Sequence, residues 1–460
     1  MKPLRTVAPT LMVAAAAVLF ALAVMGCHRL LQDNRVYWRF SGFIKTYEHV
    51  DNADGSWGVR CVAEPFTSPE KGNLLSWDAA HYDEIRQHLY APERSWQGNF
   101  AFYPLFPLLW RLLCLSPLGI SIFNWMLYAI GLALMALVFG NSLPRWSWML
   151  LFCAPLVVIC MIPYSEALFF LGIALGMVGI VRERYWLYFV GFLIAATTRA
   201  AGNIMLVAWI IVDILTAVNA KSSFKDFCIN VLRHLAPIVI GVFLVMLFQH
   251  LCGAEYWFEY VLAQKEWGKE LSWPTWPFTD WSEESESVTK PLIFTLFIPS
   301  LVWLALRLWN SLKAPKPMDS RERLRLLSVL FFVGNVILAL FTQHGCLFSQ
   351  ARLLTCTPFF AFLLLDFSSA VKPRLWRWGM VAALAVALYL YITTLFEISM
   401  LFKFSMLGSW LVFLLAVLVF FGDGMRLWLR NTLIVIAVVL NIYWTAYLFN
   451  CFLNDGWIFT

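Results

Sequence analysis

Long apolar runs recur from one end of the chain to the other, broken by short polar connections. A helix of about 20 apolar residues crosses the hydrocarbon layer of a bilayer. On that scale the runs near residues 8–30, 119–139, 146–163, 165–181, 185–200, 202–218, 230–251, 291–310, 326–342, 351–368, 378–396, 406–422 and 431–449 are spans. Some of the short paired runs read equally as broken or re-entrant helices. The pattern therefore predicts an all-α polytopic membrane protein with about 11–13 transmembrane helices. Residues 1–460 read as a single membrane domain, without an internal repeat or a separate soluble domain.

The polar connections give this bundle a direction. With the N-terminus inside, residues 307–325 face inward and carry Arg307, Lys313, Lys316, Arg321, Arg323 and Arg325 against Asp319 and Glu322. Arg182 with Arg184, Lys221 with Lys225, Lys372 with Arg374 and Arg377, and Arg426 with Arg430 fall on the same side. Two long loops, 32–100 and 253–290, face outward. Residues 32–99 hold seven Lys/Arg against ten Asp/Glu, and 253–290 hold three against eight. Basic loops inside and acidic loops outside are what membrane insertion favours. The assignment requires that 100–115 does not cross, and Pro104 and Pro107 make a surface or re-entrant helix there.

Composition changes the picture only by exclusion. Of 460 residues, 61% are hydrophobic and 13% charged, which excludes a disordered chain and a disulfide-stapled secreted domain. The formal charge of +6 is accounted for by the inward loops and calls for no nucleic acid. Of ten cysteines, Cys114, Cys153, Cys160, Cys228 and Cys356 sit in or beside apolar runs as small hydrophobes. Cys61, Cys252 and Cys346 lie in or near polar loops, where pairing stays open. No Cys/His spacing suits a metal. The run after Lys2 and Arg5 resembles a signal sequence, and Val24-Met25-Gly26-Cys27 a lipoprotein cleavage site. Its length and the spans that follow predict an uncleaved first helix.

Few residues remain to carry chemistry. In the first loop, a helix over 76–90, with Ser76 able to cap it, places Asp78 and His81 on one face, three residues apart. A carboxylate beside Trp77 and near an imidazole suits a general base. The same residues suit a plain surface helix whose first turn carries an acid. Tyr164-Ser165-Glu166, Arg199 and Arg352 interrupt apolar stretches near the outer face. Ionisable groups so placed face a bundle interior or cavity. They would grip a lipid phosphate, or form an internal Glu166–Arg199 pair that pins two helices. Asp213 and Asp366, near inner ends, read as ordinary interfacial charges. The segment Trp267 to Phe278 offers aromatic faces to a sugar or to the membrane interface. No Walker A or dinucleotide fingerprint is present, so neither ATP-driven transport nor dinucleotide binding has a motif.

Several segments also resemble a known family. Ser76-Trp77-Asp78-Ala79-Ala80-His81-Tyr82, followed by Asn99-Phe100-Ala101-Phe102-Tyr103-Pro104-Leu105-Phe106-Pro107, resembles the PIG-V family, whose eukaryotic members are GPI mannosyltransferase II. Tyr164-Ser165-Glu166-Ala167 resembles the family's Tyr-Ser-Glu-Ala segment. Arg199-Ala200-Ala201-Gly202 resembles Arg-Ser-Asn-Gly, and Gln350-Ala351-Arg352 loosely resembles a late Arg-containing segment. The likeness covers about 74–205 and thins afterwards. Ser76 stands where the family has His, and Ala200-Ala201 where it has Ser-Asn, which leaves the acceptor open.

The resemblance implies a GT-C membrane glycosyltransferase that moves a hexose, mannose in the family, from a polyprenyl-phosphate donor to a glycan or glycolipid acceptor with inversion. Asp78 would be the catalytic acid residue. Trp77, His81, Asn99, Tyr103, Tyr164, Glu166, Arg199 and Arg352 would bind substrate, with no cofactor and no metal. The partners expected are the lipid-linked donor, the acceptor and membrane lipids, for an enzyme acting as a monomer. The chain has no N-x-Ser/Thr sequon, which agrees with a bacterial source and the inner membrane; the ER membrane is the eukaryotic alternative. A transporter or flippase of lipid-linked sugars shares the span count and buried charges, and a non-catalytic scaffold is a third reading.

Overall fold

The computed structural model describes residues 4–32, 46–51, 57–62, 66–70, 72–91, 93, 95–140, 147–274, 289–343, 347, 349–370, 411–417, 419, 426–456 and 458. The expected span at 378–396, most of 406–422, Cys346 and the end of the aromatic segment from Thr275 to Phe278 lie outside them, as does the side chain of Cys61.

The apolar runs form helices, and six helices are long and apolar enough to cross a membrane among the described residues. Four come early and in the middle: α1 (Leu4–Leu30) and, further on, α4 (Pro117–Phe139), α7 (Ile204–Ala220) and α8 (Phe224–Leu251). Between α1 and α4 lie a two-stranded antiparallel ribbon (β1, Thr46–Asp51; β2, Trp57–Val62), α2 (Asp78–His88) and α3 (Leu105–Leu113). Between α4 and α7 lie α5 (Glu166–Val181) and α6 (Tyr185–Thr198). The later helices are α9 (Thr289–Lys313), α10 (Ser320–Thr342), α11 (Gln350–Thr355), α12 (Pro358–Ala370) and α13 (Leu427–Leu453). The fold is thus helical throughout the described apolar runs, and the ribbon in the first loop departs from an all-α chain.

At nine residues α3 is about 14 Å long and cannot span, with Pro104 at its start and Pro107 in its first turn. The expected span at 146–163 is not an α-helix. It forms two 3-10 stretches, Ser147–Cys153 and Val157–Met161. Pro155 and Pro163 remove amide donors from the ladder, and buried carbonyls must then find other partners. Asn441 Nδ2 on α13 donates to the Phe152 carbonyl (2.7 Å) and the Ala154 carbonyl (3.0 Å). Asn124 Nδ2 on α4 donates to Ile162 (2.7 Å) and Tyr164 (2.8 Å). These two amides hold an irregular strand of chain inside an apolar bundle and deliver it to Glu166.

Helices α5 and α6 meet backbone to backbone. A Cβ added to Gly191 would lie 2.3 Å from the Gly176 nitrogen, and one added to Gly179 would lie 2.3 Å from the Tyr188 nitrogen. Position rises along α5 as it falls along α6, so the pair is antiparallel. Small residues at such contacts let apolar helices associate by van der Waals packing, where no hydrophobic force acts between them. The register brings the start of α5 beside the end of α6, and thereby Glu166 beside Arg199.

The opposite end of the bundle gathers the basic connections. Asp319 caps α10 by accepting from Glu322 N (2.7 Å), and Lys316 N donates to Asn219 Oδ1 (3.1 Å). Asp366 is fully buried between Arg321 (2.7 Å) and Arg325, and Asp213 is 3% exposed with His234 Nδ1 at 2.9 Å. Neither is the ordinary interfacial charge expected of it. Each sits inside the bundle because a partner on another helix offsets its lost hydration.

Buried apolar side chains from Val13 to Ile458 form one contiguous core. A smaller cluster of Ile85, Tyr90, Phe100, Ala254 and Ala263 joins the first long loop to the second. Gln249 Nε2 at the end of α8 donates to the Phe100 carbonyl (2.8 Å), which fixes the two loops to the same helix end.

Candidate active site

The break after α6 builds the site. Thr197 and Thr198 turn their hydroxyls back on the Leu193 (2.8 Å) and Ile194 (2.6 Å) carbonyls, and the helix stops there. Arg199 follows in an extended conformation, and its guanidinium pairs with Glu166, the first residue of α5. The carboxylate is 2% exposed. Its Oε1 also meets Arg352 Nε at 2.8 Å, and Arg352 NH2 pairs in turn with Asp78 Oδ2. Four charges from four separate stretches of chain therefore form one row: Asp78, Arg352, Glu166, Arg199. The internal Glu166–Arg199 pair exists, and it is one half of a longer network.

Asp78 reaches this row because α2 is fastened above it. Tyr82 shares a 2.6 Å hydrogen bond with Ser165 Oγ, next to Glu166, and burial raises its phenol well above the ordinary value. The helix begins at Asp78, two residues later than expected. Ser76 makes no side-chain cap; its carbonyl accepts from Ala79 N (3.1 Å). Trp77 has a positive φ (55°), uncommon for a bulky side chain. Its Nε1 donates to the Asp455 carbonyl at 3.1 Å. The end of α13 and the residue after it hold the approach to α2. Thr67 N donates to Asn450 Oδ1 (3.0 Å), and Thr67 Oγ1 donates to Asn454 Oδ1 (2.7 Å).

Tyr164 belongs to the network through its ring, over which the Arg352 guanidinium lies at 5.0 Å. His81 lies one turn from Asp78 and looks elsewhere. Its Nδ1 bonds Asn99 Oδ1 (2.8 Å), and its ring stacks on Phe102 (5.2 Å) beside Trp96 and Trp267. Asn99 is fully buried and donates to Ser95 Oγ (2.9 Å), so it holds the loop rather than facing the charges. Tyr103 is buried too, its hydroxyl accepting from Asn203 Nδ2 (3.0 Å) and its ring edge-on to Tyr260. The nine residues expected at the site thus divide. Asp78, Tyr164, Glu166, Arg199 and Arg352 come together. His81 and Asn99 form an aromatic-lined shelf beside them, while Tyr103 and Trp77 fasten the loop.

One further charge belongs here. Lys269, in the second loop, has Asp78, Arg352 and Arg199 as its charged neighbours. Its ammonium pKa is lowered, by burial first, with Arg352 and Arg199 pushing the same way against Asp78. In the sequence it is one of three bases among eight acids in an aromatic loop, and nothing marks it out.

Chemically, the row is balanced: two carboxylates cancel two guanidiniums. Glu166 Oε2 is buried without a hydrogen-bond partner among the described residues, and an orphaned acceptor of this kind costs free energy unless a ligand donor reaches it. Among the described residues Cys252 is a free thiol, and its two candidate partners, Cys346 and the Cys61 side chain, lie outside them. Compared with known proteins, the chain matches no protein-family model, no curated protein and no solved structure.

Proposed function

We propose that the protein is a GT-C-type glycosyltransferase that moves a hexose from a polyprenyl-phosphate donor to a hydroxyl of a glycan or glycolipid at one membrane face. The observation that carries this reading is the contact between Asp78 and Arg352 within the Glu166–Arg199 network. A carboxylate suited to a base lies with two guanidiniums suited to phosphate at the bundle end away from the basic connections, and this supports the reading. The likeness of residues 76–82, 99–107 and 164–167 to PIG-V segments supports the same reading.

The chemistry follows from that geometry. The prenyl tail stays in the bilayer and the phosphate meets the guanidiniums, which grip phosphate oxygens bidentately. The acceptor hydroxyl attacks the anomeric carbon opposite the phosphate. A new C–O bond forms as the bond from carbon to the phosphate oxygen breaks, with inversion. Asp78 takes the hydroxyl proton, and the bonding pair leaves on the polyprenyl phosphate. Arg352 and Arg199 stabilise the charge growing there. Glu166 Oε2 is available to a sugar hydroxyl.

The test is to incubate purified protein with several polyprenyl-phosphate hexoses and candidate glycolipid acceptors, and to follow products by mass spectrometry. Transfer with inverted configuration is expected. Movement of the intact lipid-linked sugar across vesicles, with no transfer from any donor, would favour the flippase reading instead.

A further inference from the structure

Lys269 has no task in the reaction as drawn. It sits on a strap, residues 267–272, fastened at both ends. On one side Trp267 Nε1 donates to the Gly98 carbonyl (3.0 Å) and its ring packs edge-on against His81. On the other, Ser272 N donates to the Phe341 carbonyl (2.7 Å) at the end of α10, the helix that precedes Arg352. Gly268 turns the chain between them in a left-handed conformation (φ 66°). The strap thus runs from the Asp78 side of the site to the Arg352 side, with Lys269 between.

Among the described residues Asp78, Glu166, Arg352 and Arg199 cancel one another, which leaves the charge of Lys269 in excess there. A half-buried cation in excess is unfavourable until an anion joins it. Asp78 Oδ2, meanwhile, is engaged by Arg352. Nε of the same guanidinium stays on Glu166, so its NH2 edge can change partner while the group keeps its orientation.

Resting on the transferase reading, we propose that Lys269 receives the donor phosphate, and that this phosphate takes the NH2 edge of Arg352 from Asp78, so the base is released only when the donor is in place. The ligand recognised is a lipid monophosphate. The phosphodiester of the sugar donor carries one negative charge, which matches the single excess cation, and the strap lies at the bundle end away from the basic connections.

The experiment measures binding of undecaprenyl phosphate, and of undecaprenol as the uncharged control, to the full-length protein in nanodiscs, read by tryptophan fluorescence. Lys269→Met should weaken undecaprenyl phosphate binding about tenfold or more, the loss of one charge-assisted contact, and leave undecaprenol unchanged. Lys269→Arg should bind nearly as the parent protein does, which separates loss of charge from loss of fold. Asp78→Asn, which removes the competitor for Arg352, should tighten phosphate-lipid binding. Unchanged binding by Lys269→Met, an equal loss for both lipids, or weaker binding by Asp78→Asn would overturn the proposal. Binding that depends on Lys269 with no sugar transfer from any donor would retain the phosphate site and remove the transferase. Transfer that ignores Lys269 would do the reverse.

Discussion

Arg352 and Asp78 stand 274 residues apart in the chain and meet as an ion pair at the end of the helix bundle. Neither residue could be assigned this partner from its surroundings in the sequence. Their contact converts two isolated candidates into one site, because the same guanidinium also meets Glu166. If Asp78 is the base, Asp78→Asn should lower sugar transfer by about 100- to 10,000-fold, the range general base catalysis spans. Gel filtration and helical content should stay unchanged. Near-normal turnover would remove Asp78 from the chemistry.

Glu166 is the hinge of the network, facing two guanidiniums while almost wholly buried. Glu166→Gln strands both. Removing one partner of a buried ion pair costs about 3–5 kcal/mol, and thermal unfolding in detergent should show a clear loss. Glu166→Gln combined with Arg199→Gln should recover part of it. A single variant as stable as the parent protein would mean that the charges are solvated and the network is loose.

The α5–α6 contact makes a separate prediction. Gly191→Ala places a methyl group against the Gly176 backbone, where no flexible side chain can give way. The helices must part, at about 1–3 kcal/mol, and Glu166 and Arg199 shift with them. Lower thermal stability together with lower activity is expected. Gly72→Ala, with nothing near its added Cβ, is the matched control and should change neither.

Lys269 sets a pH limit. Its charged neighbours are Asp78, Arg352 and Arg199, and burial holds its pKa below the ordinary 10.5. A depressed pKa means the proton is lost earlier as pH rises, so donor binding should weaken on the alkaline side before a solvent lysine would titrate. Lys269→Arg stays charged through that range and should extend binding to higher pH. Identical alkaline limbs for the two proteins, measured by undecaprenyl phosphate titration, would count against Lys269 as the titrating group.

The charges that interrupt apolar runs, Glu166, Arg199 and Arg352, were legible from the sequence because burying an ion is costly wherever the chain leads it. What hydropathy cannot see is backbone geometry. Residues 146–163 are as apolar as a span, yet Pro155 and Pro163 deny them a helical ladder, and two asparagines from distant helices complete their hydrogen bonding. Nor does it see partners. Asp213 and Asp366 read as edge charges until His234, Arg321 and Arg325 are placed around them. Lys269 was hidden for the opposite reason, since a lysine in a polar loop is unremarked until a strap carries it over a buried site.

The fastening of Trp77 to Asp455 has a consequence in time. Their contact spans 378 residues of chain. At about 5–20 residues per second, ribosomal synthesis leaves roughly 20–75 s between the emergence of the two. Throughout that interval the loop bearing Asp78 lacks its tether, and until Arg352 emerges it lacks its ion-pair partner too, so a nascent chain interrupted before the last described helix would hold that loop unfastened. Completion of the site is thereby tied to completion of the bundle.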